Sequence, residues 1–78
     1  VVRVKLFANF REIAGTRELE IDAESVEELL KKLEESYPEF SRLYEYAIVM
    51  VNGRSVDDFS VRLEKNDVVA LLPPVSGG

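Results

Sequence analysis

SVEELLKKLEESYP, residues 25–38, is the stretch from which the architecture unfolds. Val26, Leu29, Leu30, Leu33 and Tyr37 recur at helical spacing and form one apolar stripe. Ser25 followed three residues later by Glu28 has the pattern of a capping box at the helix start. Glu27–Lys31 and Glu28–Lys32 are i,i+4 pairs in the favoured order, each worth about 0.2–0.5 kcal/mol. Pro38 disfavours helical geometry at the residue before it and ends the helix near Tyr37. A helix apolar on one side only needs an apolar surface to lie across, and the flanking sequence supplies one.

Before the helix, VRVKLFA alternates, with Val2, Val4 and Leu6 on one side and Arg3 and Lys5 on the other. RELEID alternates again, with Leu19 and Ile21 inward and Glu18, Glu20 and Asp22 outward. Both patterns read as half-buried strands. The connection NFREIAGT is too long for a tight hairpin. Phe10 and Ile13 can tuck one helical turn against the core, with Gly15 as the turn residue. After the helix, EFSRLYEY reads as a second short helical piece with Phe40 and Leu43 facing in, and Tyr37, Tyr44 and Tyr46 pack around the helix end. AIVMV is an interior strand running into an Asn52-Gly53 type I′ turn. RSVDDF and VRL are short edge pieces, and EKND is a turn. VVALL is the last strand, stopped by Pro73 and Pro74, neither of which can donate to a ladder. The order strand, strand, helix, strand, short strand, strand specifies an α+β fold of the β-grasp (ubiquitin-like) type. Its mixed sheet has four to five strands, and one main helix packs across one face. The first strand sits centrally with the last strand parallel beside it. Residues 1–78 are expected to form a single domain, with 73–78 as an extended C-terminal tail.

Composition narrows the function. The 78 residues contain no cysteine and no histidine. Thiolate chemistry, disulfides, the commonest metal ligand and the usual general base near neutral pH are therefore absent. A net charge of −5 argues against a nucleic-acid groove. No apolar run approaches the roughly 20 residues that span a bilayer. A cytoplasmic protein, with no membrane and no nucleic-acid partner, is the expectation. Glu18 to Glu35 holds eight acids against two lysines. Glu34-Glu35 or Asp57-Asp58 could bind a metal or do acid–base work, but charge runs of this kind are ordinarily a solvated face. No metal site is assigned. No phosphate-cradling loop, zinc motif or nucleophile–base set is present.

The tail carries what chemistry there is. Pro73 and Pro74 stiffen the exit from the last strand and favour an extended path. Val75 and Ser76 are modest in size. Gly77 and Gly78 make a backbone thread narrow enough to enter another protein's active site. At pH 7 the α-carboxylate of Gly78 is ionised, since its ordinary pKa is about 3.3–3.7. It is a poor acyl donor until ATP converts it to an acyl adenylate, after which sulfur or an amine can take the acyl group. Side chains at the last positions would crowd that attack.

These segments together resemble a known family. VRVKLFANFREIAGTRELEI, MVNG and the closing L-x-x-x-D-x-V-A-L-L-P-P-V-S-G-G are similar to the small, sulfur-carrying subunits of molybdopterin synthase, the MoaD/ThiS group of ubiquitin-like proteins. The resemblance covers the whole chain. It implies that a ubiquitin-activating-like adenylating enzyme activates the Gly78 carboxylate with ATP, and that a sulfur donor converts it to a thiocarboxylate. The loaded tail then enters the large synthase subunit and supplies sulfur to the molybdopterin dithiolene. Gly77 and Gly78 carry over as the working end. The chain binds no cofactor of its own in this scheme, and ATP belongs to the activating enzyme. By itself it is not an enzyme. The family also includes archaeal proteins joined to lysines, and thiamine-pathway sulfur carriers share the fold and the diglycine. The KND turn before the last strand stands where DGD is common in the family.

A partner surface follows from alternation. If Val69 and Leu71 face the helix, Ala70 and Leu72 face outward. Leu6 and Phe7 are both apolar, so Phe7 points away from the helix and lies beside Ala70 and Leu72. Val56 is expected to extend this patch. Together with Pro73, Pro74, Val75 and Ser76, these are the expected docking residues.

Overall fold

A computed structural model describes residues 1–74. The strands β1 (Val2–Leu6), β2 (Glu18–Ile21), β3 (Ile48–Val51), β4 (Arg54–Ser55) and β5 (Val68–Leu72) form one sheet in the order β2-β1-β5-β3-β4. β1 and β5 run parallel in the middle, with Val4 opposite Val69 and Leu6 opposite Leu71. The pairings β1–β2, β5–β3 and β3–β4 are antiparallel. The helices are α1 (Ala8–Ala14), α2 (Val26–Ser36) and α3 (Phe40–Tyr44). The expected mixed sheet and crossing helix are both found, and the ubiquitin-like β-grasp assignment stands. Two short helices accompany the main one, and α1 extends beyond the single turn expected between the first two strands.

α2 starts where the sequence says it should. Ser25 is extended, and its Oγ accepts from the Glu28 N–H at 3.1 Å. The reciprocal half of the capping box is not made. The Glu28 carboxylate lies 3.4 Å from Lys32 Nζ, and Lys32 also donates to the Asp22 carbonyl. Glu27 and Lys31, both exposed, form no ion pair among the described residues, because a pair in water gains too little to hold two long side chains together. The stripe is buried as expected: Val26, Leu29 and Leu33 are essentially inaccessible and lie against Val4, Val69 and Leu71 of the sheet.

α1 and α3 close one end of this core. Phe10 and Phe40 meet edge to face with ring centroids 5.0 Å apart, and Tyr37 stacks on Phe40 at 5.1 Å. The Tyr44 hydroxyl donates to the Leu30 carbonyl at 2.7 Å. Burial, reinforced by Glu34, pushes the Tyr44 phenol above its ordinary range and keeps it neutral. Tyr46 departs from expectation. It lies outside the cluster and is 67% exposed.

Asn52 (φ 50°) and Gly53 (φ 83°) both take the left-handed conformation that a type I′ turn demands. Asn52 then does more than turn the chain. Its Nδ2 donates to Asp67 Oδ1 at 2.9 Å, and its Oδ1 accepts from the Val68 N–H at 2.9 Å. Asp67 Oδ2 accepts from the Glu64 N–H at 2.8 Å. The hairpin turn is thereby tied to the start of β5. The bonds from Glu64 N–H and from Asn52 hold the Asp67 carboxyl below its ordinary value of 3.8.

Candidate functional site

The parallel register of β1 and β5 decides what surrounds the tail. Both strands run toward the same edge of the sheet, so their ends emerge side by side. Leu6 faces Leu71, which sets Phe7 beside Leu72. The Phe7 N–H donates to the Leu71 carbonyl at 3.2 Å, continuing the ladder one residue beyond the strand. Ala8 follows with φ 48°, a left-handed conformation costly for a residue with a Cβ. That kink turns the chain into α1 and ends the pairing with β5 directly after Phe7. Phe7 keeps an extended backbone and presents its ring on the side of the sheet away from α2, 42% exposed.

Ala70 and Leu72 lie on the same open side, since Val69 and Leu71, which alternate with them, are fully buried against the helix. The antiparallel neighbour β3 adds two residues beyond the expected patch. Ile48 is opposite Leu72 and Met50 opposite Ala70. Their signal was present in AIVMV. An interior strand apolar at every position must show apolar side chains on both faces, and the inward position of Val49 sends Ile48 and Met50 outward.

Val56 corrects the expectation. Its N–H donates to the Val49 carbonyl at 2.9 Å, which continues the β3–β4 register from Met50–Ser55. Because Val49 faces the core, Val56 faces it too, and it is half-buried against the core cluster. It does not extend the open-face patch.

β5 ends at Leu72, and Pro73 and Pro74 follow directly. They line a groove of about 170 Å³ together with Asn9, Phe10, Leu43 and Tyr46. The chain thus leaves the sheet between two apolar surfaces. On one side is the open sheet face with Phe7, Leu72 and Ile48. On the other is the groove between α1 and α3, with the exposed ring of Tyr46. Val75, Ser76, Gly77 and Gly78 lie outside the described residues.

The rest of the described chain offers no competing chemistry. Among the described residues no group of three or more acids could hold a metal ion. Besides Asp67, one other carboxyl among the described residues is shifted. Asp58 is held below its ordinary value by the Ser60 hydroxyl, at 2.6 Å, and by the Ser60 N–H. It sits in the loop beside the start of α2, where the Glu27 N–H meets the Phe59 carbonyl. Asp67 stands at the opposite end of β5 from Pro73. No helix among the described residues is long and apolar enough to cross a membrane. The arrangement leaves an apolar surface exposed on either side of the Pro73-Pro74 exit.

Comparison with known proteins agrees in both architecture and sequence. The sequence profile described as ThiS family matches residues 4–78. The molybdopterin synthase sulfur carrier subunit of Dictyostelium discoideum is 32% identical over 81 residues, covering 97% of this chain and 94% of that protein. The solution structure of small archaeal modifier protein 1 from Methanosarcina acetivorans superposes with a TM-score of 0.84 at 33% identity, covering 99% of this chain and 95% of that one. The complex of subunits 1 and 2 of the molybdopterin-converting factor from Helicobacter pylori contains a chain of TM-score 0.75 at 25% identity, with coverage of 99% and 97%.

Proposed function

The chain belongs to the ThiS family, and from that premise we propose that it is the sulfur-carrying small subunit of a molybdopterin synthase, with Gly78 as its reactive end. A carboxylate oxygen of Gly78 attacks the α-phosphate of ATP on an adenylating enzyme, and pyrophosphate leaves. Reduced sulfur from a donor then displaces AMP and leaves a thiocarboxylate. On the large synthase subunit the sulfur passes to the pterin substrate, and water returns the oxygen that restores the carboxylate. The terminal carboxyl is the one reacting group this chain contributes; ATP, the sulfur donor, the pterin and water supply the others. This fits a chain without cysteine or histidine.

The observation that carries the reading is the exit of the tail. Pro73 and Pro74 leave the centre of the sheet between two apolar surfaces, so a partner can grip the body while the thread enters its active site. The relative from Dictyostelium discoideum, matched over nearly the whole chain, is a sulfur carrier subunit. The Helicobacter pylori structure is a complex of the two subunits of its converting factor. Intact mass spectrometry tests the proposal. With adenylating enzyme, ATP and sulfide, the mass should rise by one oxygen-to-sulfur exchange at Gly78. Large subunit and pterin precursor should return it to its starting value. Loaded protein that keeps its sulfur in their presence would refute the cofactor role.

A second reading has its own support. Small archaeal modifier protein 1 shares this fold at comparable identity, and small archaeal modifier protein 3 of Haloferax volcanii is 32% identical over 99% of this chain. A modifier would use the same activation, but an amine in place of sulfur would take the Gly78 acyl group. The product would be a heavier conjugate carrying Gly78 on a lysine.

A further inference from the structure

Acids outnumber bases around α2, which carries Lys31 and Lys32 as its cations, while the exposed residues of β1 and β2 pair Lys5 with Glu18 and Arg3 with Glu20 across the strands. The acids Glu24, Glu27, Glu28, Glu34 and Glu35 lie on or beside α2, away from the open sheet face. Residues 3–17 instead hold Arg3, Lys5, Arg11 and Arg17 against one acid, Glu12. Three of these cations gather at one place. Lys5, Arg11, Arg17, Phe7 and Glu18 line an open cleft of about 350 Å³ at the tail end of β1. Its one carboxylate is already engaged, because Arg3 Nε lies 2.9 Å from Glu18 Oε1. Lys5, Arg11 and Arg17 are all exposed, and none lies within ion-pair distance of a carboxylate among the described residues. A chain of net charge −5 thus carries a cleft in which three cations meet one carboxylate, Glu18, which lies opposite Lys5 and is shared with Arg3. The ring of Phe7 stands in it, next to the exit of the tail.

We infer that Lys5, Arg11 and Arg17, set around the half-exposed ring of Phe7, form a docking cleft for an acidic segment of a partner protein that carries an apolar residue for the ring. Charge complementarity selects the occupant. Nucleic acid would meet one basic corner on an otherwise acidic body, without the extended basic face that backbone binding needs. A small anion such as phosphate would gain nothing from the aromatic floor. An acidic peptide with a leucine among its carboxylates satisfies both parts at once. The cleft also adjoins the open apolar face through Phe7 and Leu72, so a partner seated there reaches the tail without a second, separate contact. Complementary charge mainly raises the rate of encounter and fixes orientation. The inference rests on the carrier reading only in naming the proteins that would bear such a segment, the adenylating enzyme and the large subunit.

The test uses a defined probe. The full ¹⁵N-labelled chain is titrated with the peptide Glu-Glu-Leu-Glu-Glu, with its lysine counterpart, and with inorganic phosphate, at low and at high salt. The acidic peptide should shift the amides of Lys5, Phe7, Arg11, Arg17 and the end of β5. The response should weaken as salt rises and fall on the order of tenfold in an Arg11→Gln/Arg17→Gln variant. A second variant, Lys5→Gln/Arg17→Gln, covers the case in which substitution in α1 disturbs the helix. No shift, an equal response to the lysine peptide, or binding unchanged in both variants would overturn the inference. Saturation of the same amides by phosphate alone would also overturn it, in favour of a small-anion subsite. Because the probe is a peptide, failure of sulfur loading leaves this result standing, and failure here leaves sulfur loading standing.

Discussion

Removing the ring of Phe7 should separate docking from folding. In the free protein Phe7 is 42% exposed, while its N–H is held by the Leu71 carbonyl through a bond that any side chain permits. Burying the exposed part, about 85 Å² of a ring of roughly 200 Å², contributes about 2 kcal/mol at about 25 cal/mol per Å². Phe7→Ala should therefore weaken binding to a large synthase subunit about thirty-fold, since about 1.4 kcal/mol is a factor of ten. The part already covered costs stability as well, about 1–2 kcal/mol for a side chain of this exposure, less than for a fully buried ring. That corresponds to a fall in Tm on the order of 10 °C, which leaves the protein folded at 25 °C. Isothermal titration calorimetry at 25 °C reads the affinity, and a thermal melt reads the fold. Affinity within threefold of the parent, with the melt lowered as expected, would show that the Phe7 side of the exit is not a contact surface; that margin is about 0.6 kcal/mol, well below the effect expected.

Other outcomes follow from single features. Val56→Asp should lower stability by about 1–3 kcal/mol and leave affinity for the same partner unchanged, because Val56 faces the core; a melt and a titration together check the two halves. Adding one residue after Gly78 should abolish sulfur loading, read by intact mass, while the melt stays where it was; full loading of the extended chain, with no trimming, would contradict a role for the terminal carboxyl. Ser25→Ala should cost about 1 kcal/mol in chemical denaturation, since it removes the acceptor for the Glu28 N–H. Asp67 gives a pH dependence of known sign. Its carboxyl is held below the unfolded value of 3.8, so its contribution is fully present above that value and is lost as pH falls through the folded one. Asp67→Asn should flatten stability against pH in that acid window relative to the parent, as measured by denaturation across it.

The parts of the molecule that obey a period are legible in the sequence. The stripe from Val26 to Tyr37, the alternation of Val2, Val4 and Leu6, and the doubly apolar AIVMV each have one arrangement that removes their apolar atoms from water. That was enough to place β1 and β5 side by side and to turn Phe7, Ala70 and Leu72 outward. What escaped was set by contacts between distant residues. Val56 looks like a surface valine in RSVDDF until its pairing with Val49 places it on the core side. Tyr46 carries no mark in sequence that separates it from Tyr44, whose hydroxyl finds the Leu30 carbonyl while Tyr46 stays in water. The basic cleft joins residues 5, 11 and 17 from a strand, a helix and a turn, and no spacing rule links those three. Glu27–Lys31 shows the opposite failing, a favourable spacing with too little energy behind it to fix a contact.

The central strand pairing has a bearing on how the protein comes to exist. β1 is the first strand of this sheet to be made and β5 the last, yet the two are neighbours in the middle of the sheet, with Val4 opposite Val69. β3 reaches β1 only through β5. During synthesis, the first hairpin and α2 must therefore wait with one edge of β1 unpaired until residues 68–72 are available. Sequence-distant pairing of this kind slows folding, because the loop must close before the contact rewards it. It also makes assembly report on completeness. A chain lacking β5 has no centre to its sheet, so the surface around Phe7 cannot form. Only a molecule whose final strand has been made and inserted presents the open apolar face around Phe7 together with the Pro73-Pro74 exit beside it.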